Sequence, residues 1–353
     1  MAYFRLEGTE VPSPLAQTVE VLHLLPDHLK ELLLKLPSSI QEGLEEIRLR
    51  CERPLHLRWA GGEGWVTPAG EVTMVRSEAY QVRHKDIQLT VQAITNNSLY
   101  ALENELRSGY VTVKGGHRVG LAGEAVVERG EVLTLKNISS LNIRLARSIT
   151  GCARPLLPYL LRSDGHPYHI LLLSPPRCGK TTLLRDLIRY FSLGVPELGL
   201  PGLNVGVVDE RSEIAGCYQG VPQLDVGPRT DVLDRCPKVR GLLMLVRSMG
   251  PEVVATDEVG EPAELEALKE VLHAGVTLLA SVHASGVEEL RRRPGWLGLL
   301  EQGVWQRLVI LGRRLGPGTV EAVLEGREYR DLLAGPRRFL PAAGGPGGGE
   351  ARC

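Results

Sequence analysis

The stretch of the chain with the clearest chemical potential is Ser174-Pro175-Pro176-Arg177-Cys178-Gly179-Lys180-Thr181-Thr182, which follows an apolar run. It compares with the phosphate-binding loop G-x-x-x-x-G-K-[ST]. Gly179, Lys180 and Thr181 match, and Ser174 stands where that pattern opens on glycine. In such a loop, backbone N–H groups and the positive end of the following helix cradle phosphate oxygens. Lys180 would reach the β- and γ-phosphates, and the Thr181 hydroxyl would hold Mg²⁺. A bare G-K-T also occurs by chance at turns. A strand before it, a helix after it and an acidic strand elsewhere are what turn it into a nucleotide site. The expected ligands are ATP and Mg²⁺, bound along residues 174–182.

An acidic strand is present. Glu252-Val253-Val254-Ala255-Thr256-Asp257-Glu258 is an apolar run ending in paired carboxylates. Two anions at one sheet edge are costly to desolvate unless a cation or proton relieves them. Asp257 is expected to hold Mg²⁺ through water, and Glu258 to polarise the attacking water. Asp209-Glu210-Arg211 repeats the arrangement and admits two readings. It positions the water or a neighbouring subunit's arginine, or it forms a simple salt bridge through Arg211. His283 ends the run Ser281-Val282-His283 and either senses the γ-phosphate or is a satisfied structural histidine. Lys180, Glu258, Glu210 and His283 are thus the catalytic candidates. Arginines entering from a neighbouring subunit contribute on the order of 10³ to 10⁵ in rate. Candidates are Arg118, Arg144 and Arg147 early in the chain, and Arg229, Arg235 and Arg247 later. Arg291-Arg292-Arg293 suits anionic lipid or nucleic acid, or a solvated helix end.

These residues need a scaffold that brings them together. Four short apolar runs, at 169–174, 204–209, 252–257 and 276–282, alternate with helical patterns and end in polar residues. Their valine and isoleucine content favours buried parallel strands, whose carboxyl ends share one edge of an open α/β sheet. Leu183, Leu184, Leu187, Ile188 and Phe191 give the helix after the loop a buried face. Pro262 to Ala274 is a second helix, with proline in its first turn and Gly275 as the stop. The earlier half reads differently. Leu22 to Leu36 is helical, broken by Pro26 and stopped by Pro37, and Pro54–Trp59 alternates like a strand. Asp86 to Leu106 is helical, with Ile87, Val91, Ile94, Leu99 and Leu102 on one face. Strands are expected at 110–114, 118–127, 131–135 and 140–145, with hairpin turns at Gly115-Gly116 and Arg129-Gly130. The expected organisation is an α+β unit over 1–150, a linker over 151–168, a nucleotide-binding α/β domain with a parallel sheet over 169–334, and a flexible Gly/Pro-rich tail over 335–353.

Composition narrows the class. The 353 residues are 43% hydrophobic and 24% charged, with a net charge of -1, which excludes collagen-like, disulfide-scaffold and wholly disordered chains. The charge also argues against a general nucleic-acid-binding surface. The six cysteines, at 51, 152, 178, 217, 236 and 353, suit neither a zinc site nor a disulfide framework. There is no apolar stretch of membrane-spanning length and no basic-then-apolar opening, so a cytoplasmic location is expected.

Several segments resemble a known group. LVRSMGPEVVATDEVGE followed by LLASVHASG is similar to the type II/type IV secretion and pilus ATPases. More closely, KGGHRVGLAGEAV, NIRLARSI, LLLSPPRCGKTTLLRDL, VVDERSEIAG and GPRTDVLDRCPK resemble the stage III sporulation protein AA family, in order across both units. That family also carries serine at the loop's first position. The resemblance implies a RecA-like P-loop ATPase domain behind a smaller α+β domain, assembled into a hexameric ring. It implies Lys180 and Thr181 on nucleotide and Mg²⁺, Asp209-Glu210 as the acidic box, Glu258 as the Walker B glutamate and His283 as the histidine box. Secretion ATPases often carry glycine where this chain has Asp257, so the resemblance leaves the water-activating role open between Glu258 and Glu210. It further implies action at the mother-cell face of the forespore membranes, beside a membrane-embedded channel component. A nucleic-acid-stimulated ATPase and a nucleotide-binding scaffold with little turnover are the alternatives, and the 5% aromatic content speaks against the first.

Overall fold

The computed structural model describes residues 4–5, 9–10, 14–95 and 109–334. Two short strands, β1 (Phe4–Arg5) and β2 (Thr9–Glu10), open the chain. Helices Pro14–Leu22, Asp27–Leu34 and Ser38–Gly43 follow. Pro26 and Pro37 do not merely interrupt the leucine-rich pattern; each stands at the N-cap of the next helix, where its missing N–H costs nothing.

The first sheet comprises β3 (Leu44–Arg50), β4 (His56–Trp59), β5 (Gly62–Val66), β6 (Val72–Thr73), β7 (Tyr110–Thr112), β8 (Arg118–Glu128) and β9 (Glu131–Arg144). Its order is β6-β5-β4-β3-β9-β8-β7, antiparallel throughout. Alternate residues Ile47, Leu49, Leu57, Val119, Leu121, Leu141 and Ile143 are buried on one face and share a core with the early helices. The two strands expected at 131–135 and 140–145 are one long strand. Its pairing shifts register between Ala122 and Glu124, and Asn137 has φ 49°, so a bulge, not a turn, interrupts the pattern. The helix expected from Asp86 is His84–Ile94; the remainder of that segment, with Leu99 and Leu102, lies outside the described residues, as does the 335–353 tail.

A short strand, β10 (Ile149–Thr150), pairs with β2, and the chain then enters the second unit. Residues 151–168, expected as a linker, are packed: Ala153, Leu156, Leu157, Leu160 and Leu161 lie in the core beneath the second sheet. Their helical spacing supplies an apolar face. The buried Asp186 carboxylate accepts the N–H groups of Gly151 (3.1 Å) and Ala153 (2.7 Å).

The second sheet contains β11 (Ile170–Ser174), β12 (Val205–Asp209), β13 (Thr230–Asp234), β14 (Val253–Thr256), β15 (Thr277–His283), β16 (Arg307–Gly312) and β17 (Thr319–Glu325). Its order is β1-β17-β16-β11-β15-β14-β12-β13. The run from β16 to β13 is parallel; β17 and β1 are antiparallel additions. The start of the chain therefore edges the second sheet, although it precedes the first. β11, β12 and β14 are buried along their whole length, as strands covered on both faces must be. Ile170 and Leu172 face one core, with helix Lys180–Leu193; Leu171 and Leu173 face the other, with helices Lys238–Met249 and Pro262–His273. Among the described residues no helix is long and apolar enough to cross a membrane.

Candidate active site

The carboxyl ends of the parallel strands form one edge. Register places Ser174 of β11 beside His283 of β15 and Asp209 of β12 beside Asp234 of β13; Thr256 of β14 lies beside Ala280 and Val208. All four acidic or basic clusters expected from the sequence meet here.

The loop from Pro175 to Gly179 joins β11 to helix Lys180–Leu193. Arg177 has φ 59° and Gly179 φ 83°; alternation into the left-handed region turns successive N–H groups toward a common concavity. Ser174 is fully buried and its hydroxyl donates to the Pro175 carbonyl at 2.8 Å. The serine thus closes a local hydrogen bond at the start of the loop. A second wall comes from the β16–β17 connection. Arg313 donates to the Pro176 carbonyl at 2.6 Å, and the Gly318 N–H donates to the Cys178 carbonyl at 3.0 Å. Leu183, Leu184, Leu187, Ile188 and Phe191 are all buried, so the helix is anchored along the face expected.

Lys180 is itself buried, and its Nζ lies 3.0 Å from His283 Nδ1. His283 Nε2 lies 2.7 Å from Glu258 Oε1. With Nδ1 accepting from the ammonium, Nε2 carries the proton and donates to the carboxylate, giving a chain Lys180–His283–Glu258. The second Glu258 oxygen accepts from Arg211 at 2.6 Å. Burial pushes the Lys180 ammonium down to about 8, although Glu258 and Asp257 oppose it. Burial alone would raise Glu258, but the His283 hydrogen bond and the charges of Arg211 and Lys180 hold it below the ordinary carboxylate value. Glu258 has φ 45°, a strained position for a non-glycine residue, and its N–H is held by the Ser281 hydroxyl at 3.0 Å.

Asp257 contrasts with its neighbour. It is 1% exposed, and its Oδ2 has no hydrogen-bond partner. Burial, with Asp209 nearby, pushes it up to about 7. A buried carboxylate oxygen without a donor is relieved by a proton or by a cation, so the residue is compatible with the Mg²⁺ role expected of it. Thr181 follows Lys180 in the first helical turn, half-buried, with Thr182 beside it.

The Asp209-Glu210-Arg211 cluster divides into three tasks. Asp209 is fully buried and accepts the N–H groups of Glu213, Ile214 and Ala215 at 2.8, 3.0 and 2.8 Å. Its burial raises its pKa despite those bonds and Arg185. It pins the following segment, and its charge also reaches Asp257. Glu210 pairs instead with Lys238 at 2.9 Å. Arg211 does form a salt bridge, but with Glu258 on the next strand.

The segment after Asp209 is where the first sheet meets the second unit. Arg118 of β8 pairs with Glu213 at 2.6 Å and stacks over the Tyr110 ring, whose hydroxyl donates to the Arg211 carbonyl at 3.3 Å. The Gly115 N–H donates to Gln223 Oε1 at 3.0 Å. From beneath, the buried Arg185 donates to the Glu213 carbonyl at 2.7 Å. The other arginine candidates serve elsewhere: Arg144 faces Glu46 at 3.7 Å, Arg147 donates to the Glu42 carbonyl at 2.9 Å, and Arg229 donates to the Ser192 carbonyl at 3.0 Å. Arg235 lies beside Asp234 at 3.5 Å, and Arg247 is exposed in the last turn of its helix. In the basic triplet, Arg291 pairs with Glu288 at 3.3 Å and Arg293 with Glu289. Sequence reasoning missed Arg211 as the Glu258 partner, Lys238 as the Glu210 partner, and Arg313. For Lys238 the signal was available in the quoted GPRTDVLDRCPK segment, a lysine just after a helix-starting proline; for Arg313 there was none.

A parallel sheet with a lysine loop and acidic strand ends at one edge, behind a smaller antiparallel unit, defines a RecA-like α/β fold. The structure is similar in fold to the pilus retraction motor PilT with bound ADP (TM-score 0.53, 15% identity, 81% of this chain and 80% of that one). It is also similar to the Yersinia pseudotuberculosis ATPase DotB (TM-score 0.51, 12% identity, 93% and 85%). Residues 16–330 match the family described as "Sporulation stage III, protein AA", and the chain belongs to it. The "Stage III sporulation protein AA" of Bacillus subtilis (strain 168) is 43% identical over 306 residues, covering 87% of this chain and 94% of that relative.

Proposed function

We propose that this chain is a Mg²⁺-dependent ATP hydrolase, a secretion-ATPase-like motor subunit. The observation that carries the reading is the Lys180–His283–Glu258 chain, which links the phosphate loop to the acidic strand end through one imidazole. Residues 174–182 bind the nucleotide, with Lys180 at the terminal phosphates. Thr181 and Asp257 hold Mg²⁺, which when bound neutralises phosphate charge. Glu258 activates the water, since it is the carboxylate tied to Lys180; releasing the exposed Arg211 frees one of its oxygens. Glu210 assists from the neighbouring strand. His283 reports to Glu258 whether Lys180 is occupied, because both use the same imidazole.

Hydrolysis is converted into motion of the first unit through the 209–224 segment, which Arg118, Tyr110 and Gly115 grip from one side and Asp209 and Arg185 from the other. The working assembly is a homo-hexameric ring on the mother-cell side of the forespore membrane. It is held there by a membrane-embedded channel component, and it powers assembly of, or transport through, that channel during sporulation. Membership of the sporulation family and the motor fold support this reading. The test is hydrolysis of Mg·ATP by the purified chain, measured beside oligomer size, with and without DNA, RNA or anionic vesicles. Turnover that rises with ring formation supports the motor. Strong nucleic-acid stimulation points instead to a nucleic-acid-dependent ATPase, and binding without turnover in the assembled ring to a scaffold.

A further inference from the structure

Lys238 begins helix Lys238–Met249 directly after Pro237 and is 6% exposed. A lysine this deeply buried is costly unless its charge is met. It is met twice. Nζ donates to Glu210 Oε2 at 2.9 Å and to Glu264 Oε1 at 3.1 Å. Burial alone would lower the ammonium, but these two hydrogen bonds and charges hold it above the ordinary lysine value.

The two carboxylates come from different elements. Glu210 follows the end of β12. Glu264 lies in the first turn of helix Pro262–His273, and its other oxygen accepts the N–H groups of Gly260 (2.7 Å) and Glu261 (3.0 Å). Those N–H groups belong to the connection that leaves Asp257-Glu258. One ammonium therefore ties together the two acidic strand ends, Glu210 directly and Asp257-Glu258 through Glu264 and the turn it caps. Arg211 also crosses between the two strand ends, to Glu258, but its side chain is 57% exposed and its pair does not include Glu210.

We infer that Lys238 is a positioning residue for the hydrolytic edge. It fixes the Glu210 carboxylate and the spacing between the two acidic strand ends, without touching nucleotide. The inference rests on the ATPase reading above. Misplacing a catalytic group by about 1 Å costs on the order of 100-fold in rate, so the effect belongs in kcat and not in nucleotide affinity.

The test is a double-mutant cycle on the full chain in its assembled form. Lys238→Met is expected to lower kcat for Mg·ATP roughly 10- to 100-fold with KM little changed. Lys238→Arg is expected to restore most of the loss. Glu210→Gln is expected to lower kcat similarly, and the double variant to be no worse than either single one. Losses that multiply, or a loss that falls on KM, overturn the inference while leaving the ATPase reading intact. Should Lys238→Met fail to fold, Glu264→Gln decides. It removes a charge partner of Lys238 while keeping an acceptor for the Gly260 turn, so a lowered kcat at constant KM is expected and an unchanged kcat overturns the role. A wild-type chain without hydrolysis in any assembly state overturns the ATPase reading and this one with it.

Discussion

Arg211 and Glu258 pair at 2.6 Å although they leave two adjacent strands and are separated by 47 residues. The arginine side chain is 57% exposed and the glutamate 18%. A half-exposed pair of this kind contributes about 0–1 kcal/mol. It is weak enough to open and specific enough to occupy one oxygen of Glu258 in the meantime. Arg211→Ala should therefore shift the unfolding midpoint by no more than about 1 kcal/mol equivalent, read by thermal or urea denaturation. A much larger loss would mean that Arg211 is a structural support and not a releasable partner.

Glu258→Gln should bind Mg·ATP with near-native affinity and lose about 10²- to 10⁴-fold in hydrolysis, measured in single turnover. Gln keeps the hydrogen bond to His283 but cannot take up a proton from water. Unchanged hydrolysis would transfer the water-activating role to Glu210.

Contacts between the two units concentrate on the segment after Asp209. Arg118→Ala removes the Glu213 pair and the stack on Tyr110. Backbone amides of residues 213–224 should then exchange with deuterium faster, while the helix Lys180–Leu193 keeps its protection. Equal exchange in variant and wild type would show that the first unit does not hold this segment.

Asp257 gives a pH signature in the nucleotide-free chain. Its carboxyl is pushed up to about 7 by burial and by Asp209. Below its unfolded value, near 3.9, it is protonated in both states and the fold has no charge to bury. Between about 4 and 7 the folded state binds the extra proton, so stability falls as pH rises through that window and levels off above it. Asp257→Asn should remove this fall, gaining on the order of a few kcal/mol relative to wild type at pH 8 and little at pH 4. Parallel stability curves for the two proteins would contradict the burial of an ionisable group there.

Much of this arrangement was legible in the chain. Apolar runs ending in Ser-Pro-Pro, Asp-Glu or Val-His mark strand ends because only the run is compatible with a doubly covered sheet. Ser174, His283 and Glu258 could be placed at one edge on that basis. β13 was not legible: Thr-Asp-Val-Leu-Asp is half-buried at the sheet border, so its polar residues mask the signal. β16 and β17 were also missed; β16 is an apolar run, but it ends in glycine and arginines and carries no acidic marker. Partner choice was the deeper limit. Whether Arg211 meets Glu210 or Glu258, and whether Asp209 faces inward or out, depends on side-chain direction after the strand ends, which three backbone N–H donors decide for Asp209.

Lys180 is proposed as the phosphate-binding lysine of an ATP hydrolase. The most direct measurement is nucleotide binding and hydrolysis by Lys180→Ala beside the wild-type chain, with folding checked by circular dichroism. A folded variant that has lost ATP binding or hydrolysis is expected. A folded Lys180→Ala with wild-type binding and turnover would contradict it.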